Sequence, residues 1–390
     1  PKNGYAVAAV LGEIEEIEIL DDHTLVIRFY DSYAPWRGIL ANVGVTSKQY
    51  YEKAGREKFR KHPVGSGPFR FVESKTGEYI LLEAVKNHHD YKVAFNTLRM
   101  ILAADEMTRI SMLQVGELEL IHGISPHNIK ELKKNSKIRV KENSMTLGFK
   151  QLSTKLSWFP EYNSKLILAM AHAINRKELV DKLYLGHGYS LSIWASKIEL
   201  GYDPNYEYEY DLEKAKRLLK ESGYKPGSEI LMTYTKIMPN VGAAASAIQK
   251  YLSNIGMKVK IQELERGTYV TYFRNKDKRV GFMSLSGTAW AEDPHSRFMA
   301  QLRSDGYICP YWTRHNQKEM DDLIDQQAQE MDFQKRIKLI KKIRDINFKD
   351  PVSIPLFGVN VIYAMNKRID YTWPDAAPHF VGLQTIKIKK

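Results

Sequence analysis

Apolar and polar residues alternate along much of the first hundred residues, which is the pattern of half-buried β-strands. Residues 14–30, IEEIEILDDHTLVIRFY, alternate and break at Asp21-Asp22, so they predict a β-hairpin. The stretch PVGSGPF at residues 63–69 predicts a sharp turn, and the runs FRFVES, YILLEAV and TLRMILA after it predict three further strands. Between the hairpin and the turn, TSKQYYEKAGREKF predicts a short helix that Gly55 ends.

Helical periodicity begins shortly after residue 100. ADEMTRISMLQVGELELIHGI predicts a helix that stops near Gly116 and is followed by a buried strand. SPHNIKELKKN predicts a helix with Ser125 as its N-cap and Pro126 in its first turn. NSKLILAMAHAINRKELVDKLYLG predicts a long helical region that ends at Gly186.

Strands and helices alternate through the following residues. YDLEKAKRLLKESGY predicts a helix with Asp211 as N-cap and Gly223 just past its end. EILMTYT, MKVKIQELE and VGFMSLSG predict strands, whereas VGAAASAIQKYLSNIG and TYVTYFRN predict helices. This alternation predicts an α/β fold.

Length and charge limit the classes of protein to which the chain can belong. Its 390 residues suit two or three domains. The net charge of +12 suggests a nucleic-acid partner. However, the basic residues share helix patterns such as DFQKRIKLIKKIRD with acids, and they do not interleave with aromatics as a stacking groove requires. We therefore predict a solvated basic surface and no nucleic-acid partner.

Cysteine content and hydropathy bear on the compartment. The single cysteine, Cys309, excludes an intrachain disulfide and a cysteine-rich metal site. No apolar run approaches the ~20 residues that cross a bilayer, and no basic start followed by an apolar stretch marks a signal peptide. The first residues, PKNGYAVAAVLGEIEEIEIL, lead straight into a strand pattern, so we expect the chain to begin inside a longer protein.

Several stretches resemble, in the same order, segments of the dipeptide, oligopeptide and nickel solute-binding proteins of ABC importers. PVGSGPFRFVESKTGEYILLE resembles their Pro-Val-Gly-Thr-Gly-Pro-Phe turn, and DEMTRISMLQVGELELIHGI resembles their Thr-Arg-x-x-x-Leu-x-x-Gly-Glu-x-Asp helix. The other similar segments are AMAHAINRKELVDKLYLGHG, YDLEKAKRLLKESGY, IQKYLSNIGMKVKIQELE and IPLF. The resemblance covers essentially the whole chain. Ile167 departs from it, because relatives carry an arginine at that point.

The resemblance implies a two-lobed, periplasmic-binding-protein-like α/β fold of class II, cluster C, with a cleft between the lobes. It divides the chain into a remnant of a small extra domain (1–62), the first lobe (63–149), the second lobe (150–362) and a C-terminal return to the first lobe (363–390). The N-terminal part of the first lobe is expected to be absent. The glycines of the turn at 63–69 are expected to supply positive φ, and the turn to be architectural.

The function implied is that of the solute-binding component of an ABC importer, which captures short peptides and delivers them to a membrane permease. The alternative is a nickel–chelator binding protein of the same family. We expect a monomer without cofactor or enzymatic activity, periplasmic or extracytoplasmic, with lipid anchorage through a missing N-terminus left open. No His-Glu-x-x-His or Gly-x-Ser-x-Gly motif is present, and the GSG at 65–67 is too short for the second.

The candidate ligand loop is SLSGTAWAEDPHSRF, residues 284–298. Peptide-binding relatives resemble Gly-Trp-x-x-Asp-x-x-Asp-Pro there, and their first Asp pairs with the α-amino group of the ligand. Alignment on Asp293-Pro294 leaves Trp290 in that place, with Glu292 as a substitute, and Thr288 and Ala289 beside it. The nickel branch has a Trp before Asp-Pro-His-Ser, as here, which makes His295 the metal-side candidate; against this branch, LANVGVTSKQY lacks its arginine.

Each of these residues also has a structural interpretation. Trp290 could be a core aromatic, although we favour a ligand contact because it follows a buried strand. Asp293 before proline is a good turn former and is expected to order the loop. His122 follows the buried LELI strand and either lines the cleft or is a hydrogen-bonded core histidine. The other aromatic residues expected near the cleft are Tyr269, Tyr272, Tyr311, Trp312 and Trp194.

Two further pairs are assigned to structure rather than to ligand binding. His88 and His89 look like a metal pair, but adjacent ligands on a loop need further partners, so we predict a surface loop. Asn175 and Arg176 are predicted to be helix-surface and capping residues.

Overall fold

The computed structural model describes residues 12, 14–41, 43–145, 149–155, 163–235, 240–265, 267–269, 282–288, 293–306, 317–375 and 382–389. Contacts between Cα atoms divide the chain into two compact units. We call residues 1–42 and 144–360 the large unit, and residues 43–143 and 361–390 the small unit. The domain boundaries drawn from the sequence stay predictions.

The elements alternate in type along most of the chain. In chain order the strands are β1 (Ile14–Asp21), β2 (Thr24–Phe29), β3 (Phe69–Lys75), β4 (Tyr79–Ala84), β5 (Thr97–Ile101), β6 (Leu120–His122), β7 (Ile138–Asn143), β8 (Phe149–Lys155), β9 (Gly188–Ser190), β10 (Glu229–Tyr234), β11 (Lys258–Glu263), β12 (Phe282–Thr288), β13 (Ser353–Val359), β14 (Val361–Asn366), β15 (Ile369–Asp370) and β16 (Lys387–Ile388). The helices are α1 (Trp36–Leu40), α2 (Lys48–Lys61), α3 (Glu106–Val115), α4 (Ile129–Lys134), α5 (Ser164–Ala173), α6 (Arg176–Leu183), α7 (Leu212–Glu221), α8 (Val241–Ser253), α9 (His295–Gln301), α10 (Gln317–Gln329) and α11 (Phe333–Lys349).

A six-stranded mixed sheet forms the centre of the large unit, in the order β11-β10-β12-β8-β13-β9. β10 is parallel to β11 and to β12, while β8 is antiparallel to β12 and to β13. Leu152, Ile354 and Phe357 of β8 and β13 are fully buried, and α5 places Leu166, Ile167 and Met170 in the same core. Ile167 thus fills the core at the point where the relatives are expected to carry arginine.

Some helices of the large unit begin where the sequence predicts, because the cap is a local interaction. Asp211 Oδ1 accepts a hydrogen bond from Lys214 N at 2.8 Å, and Gly223 follows α7 with φ of 73°. The helical region predicted to run on to Gly186 is two helices instead. Ile174 adopts an extended conformation, and Asn175 begins α6 by accepting a 2.9 Å hydrogen bond from Glu178 N.

Arg176 is buried, which corrects its assignment to a helix surface. It is 2% exposed, and its guanidinium donates to the backbone carbonyls of residues 171, 174, 191, 208 and 355 at 2.8–3.4 Å. The carbonyls of residues 191, 208 and 355 lie outside the helical region that the sequence predicts around Arg176. Burial lowers the pKa of Arg176 to about 10.

The small unit contains a β6-β14-β7 sheet, a β3-β4-β5 sheet and the short β15-β16 pair. Its C-terminal segment is held by Asp370, which lies 3.0 Å from Arg139 Nη1 and 3.3 Å from Lys141 Nζ. Tyr363, Tyr371 and Trp373 pack together as a buried aromatic cluster. Among the residues described in either unit, no helix is both long and apolar enough to cross a membrane.

Gly55 interrupts α2, as the sequence predicts, because its φ of 72° and ψ of 165° are not helical; a second helical segment then continues to Lys61. Two other local predictions in the small unit are wrong. Neither Gly65 nor Gly67 has positive φ; Gly65 instead forms a β-bridge with Thr46. The side chain of Ser125 does not cap the turn that follows, and its backbone N–H donates to Glu106 Oε1 at 2.7 Å.

Candidate functional site

The strand that leads into the candidate loop and the strands beside it have termini at the same end of the six-stranded sheet. The parallel strands β10, β11 and β12 finish there at Tyr234, Glu263 and Thr288. β8 begins at the same end, because Thr288 is the register partner of Phe149. We call this end the carboxyl end of the sheet. In open α/β sheets, ligands bind outside the carboxyl ends of the strands.

The residues on both sides of positions 289–292 are held in place. Before them, β12 is paired with β8 as far as Thr288. After them, Asp293 makes a two-pronged ion pair with Arg336 of α11, with Oδ2–Nη1 at 2.6 Å and Oδ1–Nη2 at 2.8 Å. Asp293 Oδ1 also accepts the backbone N–H of His295 at 2.9 Å. Both side chains are nearly buried, so this charge-assisted pair fixes where the loop re-enters the fold.

His295 lies in the same network, and its protonation follows from its partners. Gln327 Oε1 accepts from Arg336 Nη2 at 2.9 Å, which orients the amide so that Gln327 Nε2 donates to His295 Nδ1 at 2.7 Å. The Nδ1 atom is therefore an acceptor, and the imidazole is neutral with its proton on Nε2. His295 is 4% exposed, and this burial lowers its pKa to about 4.

A second buried ion pair anchors α9. Arg297 Nη2 lies 2.5 Å from Glu199 Oε1, and both side chains are fully buried. Glu199 Oε2 also accepts hydrogen bonds from the backbone N–H and the hydroxyl of Ser196, at 2.7 and 2.5 Å. The helix after the candidate loop is thus attached to the segment that follows β9.

The structure describes three of the remaining predicted ligand residues, Trp194, Tyr269 and His122. Trp194 is 6% exposed and lines a cavity of about 20 Å³ in the core with Gly201, Phe298 and Arg344. Tyr269 is half-buried in a short helical turn, where its N–H donates to Glu265 O at 2.8 Å. His122 belongs to the small unit, where its ring lies 5.4 Å from that of Trp373. Five predicted residues lie outside the described ranges, as does Tyr272: Ala289, Trp290, Glu292, Tyr311 and Trp312.

The predicted histidine pair is consistent with a structural loop. His88 Nε2 lies 2.9 Å from the carbonyl oxygen of Ser66, and its ring stacks on that of His89 at 4.2 Å. Across the described ranges, no three His, Cys, Asp or Glu side chains come together in a way that could hold a metal ion.

Sequence reasoning missed Lys150, the second residue of β8, which lies at the carboxyl end of the sheet. Its register partners are Gly287 on β12 and Phe357 on β13, so it lies one position from Thr288. Lys150 is half-buried, and burial alone lowers its pKa to about 8. The available signal was a lysine placed in the strand run GFKQL, directly after an apolar residue.

Comparisons with known proteins agree with this architecture. Residues 1–307 match the family model described as bacterial extracellular solute-binding proteins, family 5 Middle. The chain is 27% identical over 370 residues to the "Dipeptide-binding protein" of Escherichia coli, covering 91% of this chain and 68% of that protein.

Solved structures extend the similarity to the whole described architecture. NikA of Staphylococcus aureus in complex with Ni(L-His)2 aligns with a TM-score of 0.84 at 18% identity, covering 100% of this chain and 82% of that one. DppA of Helicobacter pylori in complex with the peptide STSA aligns with a TM-score of 0.82 at 24% identity, covering 99% and 76%. The predicted two-lobed, periplasmic-binding-protein-like α/β fold is thereby confirmed.

Proposed function

Because the chain belongs to the bacterial extracellular solute-binding proteins of family 5, we propose that it captures short peptides and delivers them to the permease of an ABC importer. Proteins of this family act outside the cytoplasm as the solute-binding components of such importers, and they bind their ligands rather than transform them. The claim that the ligand is a peptide is more specific than the family assignment, and it requires its own support.

The observation that carries this step is the similarity to the E. coli dipeptide-binding protein, which extends along nine-tenths of the chain. The H. pylori structure, whose ligand is a peptide, has the same fold over nearly all of this chain. We propose that Trp290, with Thr288, Ala289 and Glu292, contacts the ligand at the carboxyl end of the sheet. The residues that flank this loop are fixed by β8 and by Arg336, which suits a loop that must present an aromatic side chain in one position.

A nickel chelate is the second candidate ligand, favoured by the Trp and Asp-Pro-His-Ser residues of the loop and by the fold shared with NikA. The geometry of His295 speaks against its serving as a metal ligand. Metal binding at Nε2 would move the imidazole proton to Nδ1, which faces the N–H of Gln327. Two donors would then oppose each other inside the protein. A nickel complex held by aromatic packing alone escapes this objection.

Mass spectrometry of the ligand that denatured, freshly purified protein releases tests the proposal. We expect peptides of a few residues, in an amount close to one per protein chain. A released ligand that contains nickel and histidine, or another small molecule in place of peptides, would contradict the proposal.

A further inference from the structure

Four lysines lie on the exposed side of α11 in the large unit. At about 100° of rotation per residue, they fall within an arc of about 120°, opposite the buried Arg336, Ile340 and Ile343. All four residues are exposed. We call this surface the basic face of α11, and its members are Lys335, Lys338, Lys341 and Lys342.

The two acidic residues of the same stretch are engaged elsewhere. Asp332 Oδ1 caps the helix by accepting the backbone N–H of Lys335 at 2.9 Å. Asp345 Oδ1 accepts the hydroxyl of Tyr206 at 2.6 Å and lies 2.9 Å from Arg344 Nη2. Within the described ranges, no carboxylate forms an ion pair with a lysine of the basic face.

Lysines on other helices are paired with an acid one turn away. On α6, Lys177 Nζ lies 2.5 Å from Asp181 Oδ2. On α10, which precedes α11, Lys318 Nζ lies 2.6 Å from Asp322 Oδ2. The basic face instead places lysines three and four residues apart, and like charges at these spacings repel one another. The arrangement lowers the stability of the helix, so folding does not account for it.

Exposed apolar side chains accompany the basic face. Met331 and Phe333 lie where α11 begins, and they are 60% and 55% exposed. A groove where α10 meets α11 is lined by three of the four lysines together with Gln326, Gln329, Glu330 and Leu339. The surface therefore combines amines, amides and exposed apolar groups, which is a composition that suits the interface of a phospholipid membrane.

We infer that the basic face of α11, with Met331 and Phe333 beside it, docks the protein onto the surface of an anionic phospholipid membrane. The lysines extend over about 10 Å of the helix axis, so they suit a surface that carries many charges better than a single small anion. Each lysine held near such a surface strengthens binding by about fivefold. Docking would keep the protein beside the membrane in which an importer of its family works.

The test is co-sedimentation of the protein with two kinds of vesicle, phosphatidylcholine alone and phosphatidylcholine mixed with phosphatidylglycerol. In the α11 variant, all four lysines of the basic face are changed to glutamine. The matched control makes the same change at four exposed lysines of α2, where acids lie between the lysines. These control positions are Lys48, Lys53, Lys58 and Lys61. Both variants lose the same net charge.

We expect the wild type to bind the anionic vesicles, with an affinity that falls as salt is added, and to leave phosphatidylcholine vesicles unbound. The α11 variant should bind the anionic vesicles about a hundredfold more weakly, while the α2 variant changes by less than about threefold. Changing the four lysines of α11 to arginine should preserve binding, because arginine keeps the charge. Met331→Ser/Phe333→Ser should weaken binding severalfold without changing its dependence on salt.

Urea denaturation of the α11 variant separates a lost surface from a lost fold, since removal of the repulsion should leave its stability unchanged or higher. Equal losses in the α11 and α2 variants would show that net charge alone attracts the protein, and would overturn the inference. Wild-type binding that does not depend on phosphatidylglycerol, or an α11 variant that binds as the wild type does, would also overturn it. The same holds if the protein binds a reconstituted permease in phosphatidylcholine vesicles and only this binding is lost in the α11 variant, because the basic face would then contact a protein.

Discussion

The two sides of the candidate loop treat charge in opposite ways. On the side of α9, Arg297 and Arg336 each have a carboxylate partner at 2.5–2.8 Å, and these groups are at most 11% exposed. On the side of β8, Lys150 is half-buried and has no acidic partner in the described chain. The pairing of β12 with β8 ends at Thr288, and Asp293 and α9 follow after residues 289–292, so both sides border the same short stretch of sequence. We therefore attribute the contrast to different roles.

The contrast separates two arginines that are paired inside the fold from a lysine that has no acidic partner among the described residues. Removing one member of a buried pair leaves an uncompensated charge, whereas removing an unpaired cation relieves one. Variants on the α9 side should therefore reduce stability, whereas removal of Lys150 on the β8 side should leave stability intact. The following expectations test this division, beginning with the largest effect.

Glu199→Ala should give the largest loss of stability. It leaves the Arg297 guanidinium buried without its carboxylate and removes the acceptor of the Ser196 N–H. We expect the free energy of unfolding to fall by about 3–5 kcal/mol in urea denaturation. The double variant Glu199→Met/Arg297→Met, which removes both charges, should recover much of this loss. A single variant that loses less than about 1 kcal/mol would show that the pair does not hold α9.

His295 should make stability depend on pH. Its pKa is lowered to about 4 in the folded protein, whereas the unfolded chain takes up a proton near the ordinary value of 6.5. The contribution is therefore complete above about pH 6.5 and is lost as the pH falls towards 4, by an amount on the order of 3 kcal/mol. His295→Gln should flatten this part of the pH profile, measured by urea denaturation. His88→Gln, on a loop of the small unit, should leave the slope unchanged, and an unchanged slope in His295→Gln would contradict the burial of a neutral imidazole.

Trp290→Ala should weaken ligand binding by roughly 1–3 kcal/mol, as expected when an aromatic anchor is removed. Affinity is measured by calorimetry with the released ligand, and the free energy of unfolding is measured alongside it. Trp36→Ala serves as the control, since Trp36 is an exposed tryptophan of the large unit. If Trp290→Ala binds the ligand normally and lowers stability instead, Trp290 is a core residue and not a contact.

Lys150→Met should have the smallest effect on stability, and in the opposite direction. Because it removes a partly desolvated cation that has no acidic partner among the described residues, the free energy of unfolding without ligand should stay constant or rise by about 1 kcal/mol or less. Lys260→Met on β11 provides the baseline for an exposed lysine. A loss of 2 kcal/mol or more would place Lys150 among the residues that hold the fold.

The sequence predicts what depends on neighbouring residues and misses what depends on distant ones. Asp211 and Gly223 delimit α7 through interactions within a few residues, so the pattern identifies them. The burial of Arg176 depends on carbonyls as far away as residue 355, and no local pattern contains that information. The glycines at 65 and 67 illustrate the reverse error, because a turn rich in glycine need not use positive φ.

The same limit applies to the candidate site. The loop at 284–298 is recognisable because its residues are contiguous, and Asp293 orders it as expected. Its main partner, Arg336, lies 43 residues further along the chain. Arg336 belongs to α11, whose sequence pattern indicates only a basic surface. The position of Lys150 in the sheet is set by the register of β8 with β12, a pairing between segments about 140 residues apart. Sheet register of this kind has to be seen in the structure.

The most direct test of the proposed function is calorimetric titration of ligand-free protein with a tripeptide mixture and, separately, with nickel–histidine. We expect saturable binding of the peptides at one site per chain and no binding of the nickel complex. Binding of nickel–histidine alone, abolished by His295→Ala, would contradict both the choice of ligand and the role given to the buried, neutral His295.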